Sequence, residues 1–149
     1  MWNFLFKKTY KKASFEDIQF SLSHPELFLL INTLSADDQK CLIKNTILYQ
    51  MEENMVNELL SKYDYSGKRF IVYGRNANDG TAEIKCKQLE TLGFSNVYLY
   101  AGGLFEWLLL QDIYGKDEFP TTTAQLDILK YKPDKMFSGR YTPLHILNR

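Results

Sequence analysis

The chain has 149 residues, is 45% hydrophobic, and carries 18 Lys and Arg against 18 Asp and Glu, so its formal charge is zero. That length and apolar content fit one domain with a buried core, and balanced charge lacks the positive field that draws proteins onto nucleic acid. Two cysteines outside any Cys-x-x-Cys pair and two distant histidines, His24 and His145, give no metal cluster and no cofactor signature, and no apolar run approaches the ~18 residues of a membrane span.

Residues 1–12 mix Trp2, Phe4, Phe6 and Tyr10 with four lysines. Two readings of them stay open: packing on the domain with the lysines in water, or contact with an anionic membrane surface. Ser14 then caps a short helix through Phe20, and the continuous apolar run at 27–31 has the pattern of a strand covered on both faces. A polar link holding Ala36, Asp37, Asp38 and Gln39 makes one helical turn, and 46–49 reads as a second strand. Met55, Val56, Leu59, Leu60 and Tyr63 line one face of an amphipathic helix over 51–63.

Residues 70–73 are a third strand, 81–92 a helix with Ala82, Cys86 and Leu89 on one stripe ending at Gly93, and 96–100 a fourth strand. Strand, helix and strand with short joins form a right-handed βαβ crossover. Gly102 and Gly103 break the chain before an apolar helix at 104–114, closed by Gly115. Threonines 121–123 offer caps for a last helix near 124–130, and the tail beyond Pro133 holds more apolar residues than a disordered tail should. The sum is a single α/β, doubly wound domain with a mainly parallel sheet flanked by helices. It spans 14–119, with a basic-aromatic segment at 1–13 and a C-terminal helix and tail at 120–149 that packs on the domain or a partner.

The run from Leu92-Gly93-Phe94 through Asn96-Val97, Leu99 and Gly102-Gly103 to Trp107 resembles the rhodanese-like family. Physical reasons agree, because Gly-Gly turns the last strand into a helix and the Trp anchors that helix on the core. The resemblance covers about residues 14–113 and implies the sulfurtransferase fold. It implies a cysteine directly after the strand 70–73, where this chain has Gly74. It implies an arginine later in the loop, where Ala77, Asp79 and Gly80 stand at or near that place. The loop is also about one residue longer than the sulfurtransferase form, as in relatives that act as phosphatases. The Asp-Val-Arg that the resemblance implies after the first core strand reads Asn32-Thr33-Leu34, and a charged stretch further on reads Cys41 to Thr46.

The loop Gly74, Arg75, Asn76, Ala77, Asn78, Asp79, Gly80, Thr81 is therefore the candidate site. Glycines at both ends and a helix N-terminus supply N–H donors for an anion, while Asp79 opposes one and either Asp79 or Thr81 serves to cap the helix. Cys86 reads as a packed core thiol; Cys41, in the polar link, reads as partly exposed; His24 reads as a surface or capping residue. No residue is assigned a catalytic role. The expected function is a cytoplasmic, catalytically silent rhodanese-like module, a pseudoenzyme that binds a protein partner. The alternatives are a superfamily enzyme or sensor holding a small sulfur- or phosphate-containing anion at 74–81, and a structural component of a larger assembly. With 15% aromatic residues, self-association into a homo-oligomer stays open.

Overall fold

A computed structural model describes residues 10–137 of the protein. The readings for residues 1–9 and for the tail past 137, His145 included, lie outside the described residues.

Four strands, β1 (Lys11–Lys12), β2 (Phe28–Asn32), β3 (Arg69–Tyr73) and β4 (Val97–Tyr100), form one sheet in the order β1-β4-β3-β2, every neighbouring pair parallel. Helices α1 (Phe15–Ser23), α2 (Glu52–Ser61), α3 (Thr81–Thr91) and α4 (Gly103–Tyr114) cover it on both faces. The alternation of β3 decides which face is which. Ile71 and Tyr73 point to a core shared with Ile18 of α1 and Leu104, Trp107 and Leu108 of α4. Phe70 and Val72 point to a second core with Val56 of α2 and Ala82, Cys86 and Leu89 of α3. Burial on both sides is why these strands read as unbroken apolar runs rather than as alternating ones.

Local chemistry sets the helix ends. Ser14 and Asp17 form a capping box on α1, the Asp17 carboxylate accepting from the Ser14 N–H at 2.8 Å. His24 is the C-cap of that helix. Past α3, Gly93 takes φ 113°, a left-handed value that suits glycine.

Four expectations are corrected. Residues 46–49 are not a strand: Asn45 turns at φ 68°, Thr46 makes a single parallel bridge to Leu30, and the 3-10 turn Tyr49–Met51 follows at once. In place of 46–49 the sheet takes β1, two lysines whose register on β4 (Lys11 to Tyr98, Lys12 to Leu99) no hydrophobic pattern announces. Tyr63, counted on the apolar face of α2, lies beyond the helix at φ 55° and is exposed. No α-helix forms at 124–130; only the 3-10 turn Ile128–Tyr131 does. The threonines meant to cap it act elsewhere: the hydroxyls of Thr122 and Thr123 donate to the Lys40 carbonyl at 2.8 and 3.0 Å, and Thr121 bridges to Ile43.

Among the described residues no helix is long and apolar enough to cross a membrane.

Candidate functional site

The chain leaves β3 at the carboxyl edge of the sheet, where open α/β folds place their sites, and runs through Gly74 to Gly80 into α3. The loop is held from outside by α4. The N–H groups of Leu104 and Phe105 donate to the carbonyls of Gly74 and Arg75, each at 2.9 Å. This close approach requires glycine at 103: φ is 68°, and a Cβ there would stand 2.7 Å from the Gly74 carbonyl oxygen and 2.9 Å from the Asn76 nitrogen.

Inside the loop the Asp79 carboxylate takes the central place. Oδ2 accepts the Arg75 N–H at 2.9 Å, and Oδ1 accepts the Thr81 N–H at 3.0 Å and its hydroxyl at 2.7 Å. Burial pushes the Asp79 carboxyl up, but the Arg75 and Thr81 donors outweigh it and hold the group below the usual carboxylate range. The cap position of α3 is Gly80 itself. The capping role expected of Asp79 or Thr81 is thus performed from one residue further out, with Thr81 as the donor. Asn76 turns inward, its Oδ1 accepting the Asn78 N–H at 2.9 Å. Ala77 and Asn78 are exposed.

Gly74 is buried, and its neighbours explain its identity. A Cβ at 74 would fall 2.6 Å from Asp79 Oδ2, 3.1 Å from Asp79 Cγ and 3.1 Å from Thr33 Oγ1. The space that any side chain at 74 would need already contains a carboxylate.

Arg75 does not reach into the loop. Its Nη1 pairs with Asp38 Oδ2 at 2.6 Å, its Nη2 donates to the Lys130 carbonyl, and its guanidinium lies 5.0 Å from the ring centre of Tyr131. Asp38 also takes Lys130 Nζ at 3.3 Å. Burial raises the Asp38 carboxyl, and its hydrogen bonds to Lys130, Arg75 and Ser35 bring it net downward. Asn76 Nδ2 donates to the Tyr131 carbonyl at 2.9 Å, and Tyr131 is buried in the α1/α4 core. The turn Ile128–Tyr131 is therefore a strap across the loop, fastened through the two side chains that follow Gly74. Nothing in the sequence places Asp38, Lys130 or Tyr131 at this loop. They lie far from the loop in sequence, and no local spacing signals an ion pair made through tertiary packing.

The two thiols sit apart from this centre. Cys86 is fully buried in the α2/α3 core. Cys41, expected to be partly exposed, is buried, its Sγ 3.4 Å from the Thr123 carbonyl oxygen, and burial raises its pKa. The polar link that carries it is pinned under residues 120–123, a contact invisible in local sequence. Among the described residues no cluster of three or more His, Cys, Asp or Glu side chains is placed to hold a metal ion.

A polar cleft of about 580 Å³ opens beside the loop, lined by Asn32, Thr33, Tyr49, Thr81, Ile84 and Lys85 among others. Thr33 and Thr81 close its inner wall with a 2.8 Å hydroxyl pair, and Lys85 is tied to Glu52 at 2.6 Å. These two pairs tie four of its polar groups to one another.

A family model described as a rhodanese-like domain matches residues 21–110. Among solved structures the chain is similar to a yeast protein tyrosine phosphatase of the rhodanese family, with TM-score 0.56 and 18% identity over 82% of this chain and 99% of that one. It is also similar to the BH2092 protein of Bacillus halodurans, with TM-score 0.54 and 15% identity over 88% and 96%. A thiosulfate sulfurtransferase from Pseudomonas aeruginosa gives TM-score 0.52 and 20% identity over 66% of this chain and 18% of that one. At these identities the likeness is one of fold. No curated protein matched the chain at a significant level.

Proposed function

Because the chain belongs to the rhodanese-like family, whose fold includes sulfurtransferases, we propose that it is a member that transfers no sulfur and acts as a protein-binding module. The observation that carries this reading is the Asp79 carboxylate lodged where a side chain at position 74 would sit. Sulfur transfer needs a thiolate stabilised by loop N–H groups. Here the residue after β3 is glycine, and the Arg75 and Thr81 amides already serve an internal anion. The remaining thiols are buried, and Cys41 is shifted toward its neutral form. An added sulfur- or phosphate-containing anion would have to compete with a tethered carboxylate, and Arg75 is committed to Asp38 and the strap.

The test is sulfur transfer from thiosulfate to cyanide by the purified chain, with protein-bound sulfane sulfur measured in parallel. The expected result is turnover at the level of buffer and no labelled cysteine. Turnover that disappears in Cys41→Ser or Cys86→Ser would overturn the reading.

A further inference from the structure

Opposite the loop, at the amino-terminal edge of the sheet, a second cavity of about 370 Å³ lies between α1 and the strands. Its walls are Phe20, Leu27, Phe28 and Tyr98, with Ile71 among its lining. Phe20 is 54% exposed although it stacks on His24 and meets Phe28 edge-on at 5.9 Å between ring centres. Two cations, Lys12 and Arg69, line this aromatic pocket beside the Asp17 carboxylate, and two more, Lys11 and Lys68, stand near it. Lys11 Nζ is 5.2 Å from the Tyr98 ring centre, Arg69 Cζ is 5.9 Å from that of Phe28, Lys12 lines the cavity, and Lys68 donates to the Glu26 carbonyl. None of the four makes an ion pair among the described residues. Asp17 lines the cavity and keeps its negative charge while accepting from the Ser14 N–H and hydroxyl, so that with Glu26 it sets two acids against the four cations. In a chain with no net charge this is a local excess.

We propose that this edge is the docking surface of the module, and that its partner is an extended acidic segment carrying one bulky apolar side chain. The inference rests on the protein-binding reading above and names the partner class. The apolar side chain fills the cavity against Phe20, Phe28 and Tyr98, a desolvated aromatic anchor site of the kind that dominates binding energy. The acids meet the cations, which supply register and encounter rate. Lys11 and Lys12 belong to β1, Arg69 opens β3 and Lys68 directly precedes it, with β4 between the two strands. Two strand spacings separate the pairs by roughly 10 Å. An extended chain advances about 3.3 Å per residue, so the partner places two acids about three residues apart with the apolar residue between them. That spread exceeds the reach of a single carboxylate on a small molecule.

The experiment uses the full chain and fluorescein-labelled nonapeptides read by fluorescence anisotropy. One peptide has two glutamates three residues apart with a leucine between them; controls replace the glutamates with lysine or the leucine with serine. Saturable binding of the first peptide alone is expected, weakening with added salt. Lys12→Glu combined with Arg69→Glu should weaken it at least about tenfold, and Phe20→Ser should do likewise. Lys87→Glu, an exposed charge reversal on α3 across the sheet, should leave it unchanged. Thermal melts of each variant confirm that the exposed substitutions leave the fold intact. No binding by the acidic peptide, equal binding by the double variant, or binding to phosphatidylserine vesicles in place of the peptide would overturn the proposal. Sulfur transfer by the chain would instead overturn the protein-binding reading, so the two failures are distinct.

Discussion

Substituting Gly74 by cysteine puts the Asp79 argument at risk in a way that can be measured. The backbone at 74 lies outside the left-handed region that favours glycine, so the cost of a side chain there is one of space. The new Cβ would stand 2.6 Å from Asp79 Oδ2, and the carboxylate must swing away and release the Arg75 N–H it holds at 2.9 Å. A hydrogen bond to a charged group is worth about 1.5–3 kcal/mol, and the lower part of that range applies because Asp79 is partly open to water. Gly74→Cys should therefore cost about 2 kcal/mol. Asp79→Ala loses the same bond and a helix-capping interaction, together about 3 kcal/mol. If one contact underlies both losses, the double variant should cost little more than Asp79→Ala alone, a coupling of about 1.5 kcal/mol. Urea denaturation of the four proteins at pH 7, with unchanged slopes, gives the cycle. Additive losses, to within about 0.5 kcal/mol, would refute the claim that Asp79 occupies the side-chain space of position 74. Gly74→Cys should also fail to turn over thiosulfate.

Tyr131→Ala removes the buried ring beneath Arg75 and should lower stability by about 3 kcal/mol, seen as a fall in melting temperature of roughly 6–12 °C for a chain of this size. Acid titration tests the two carboxylates. Asp38 and Asp79 both have folded pKa values below their unfolded ones, so the stability they contribute is present above the unfolded value near 3.9. It is lost as pH falls through the folded values. Melts should be flat from pH 7 to about 5 and fall below that, and Asp38→Asn should flatten the acid limb. A thiol reagent should leave both cysteines unlabelled in the native protein and label both in denaturant, because Cys41 and Cys86 are each buried.

Sequence alone revealed the scaffold wherever burial left a pattern. The runs at 27–31 and 70–73 are apolar because both faces are covered, and Gly93, Gly102-Gly103 and Trp107 mark turns and an anchor that local chemistry dictates. It failed where pairing is made by backbone alone: β1 is two exposed lysines, and its partnership with β4 leaves no trace in side-chain type. The site was legible as a place and not as an arrangement. The eight residues of 74–81 do form the loop, but Asp79 was judged by its charge, as an obstacle to an anion, when its length and position let it be the anion. Arg75 belongs to the loop in sequence and turns out of it in space. Its partners Asp38, Lys130 and Tyr131 come together only after the chain has closed on itself.

The pairing of β1 with β4 bears on the order of assembly. Among the described residues the first strand of the sheet pairs with β4, near the end of the core, so this edge forms after a long chain closure, which is slow and late in a parallel sheet. During synthesis β2 and β3 can pair through α2 while β1 waits for β4 to emerge. The lysines of β1 keep that waiting edge charged, which discourages pairing with the wrong strand. The same two residues then stand, in the finished molecule, beside the aromatic cavity, so that this edge of the domain exists only in chains that have completed their sheet.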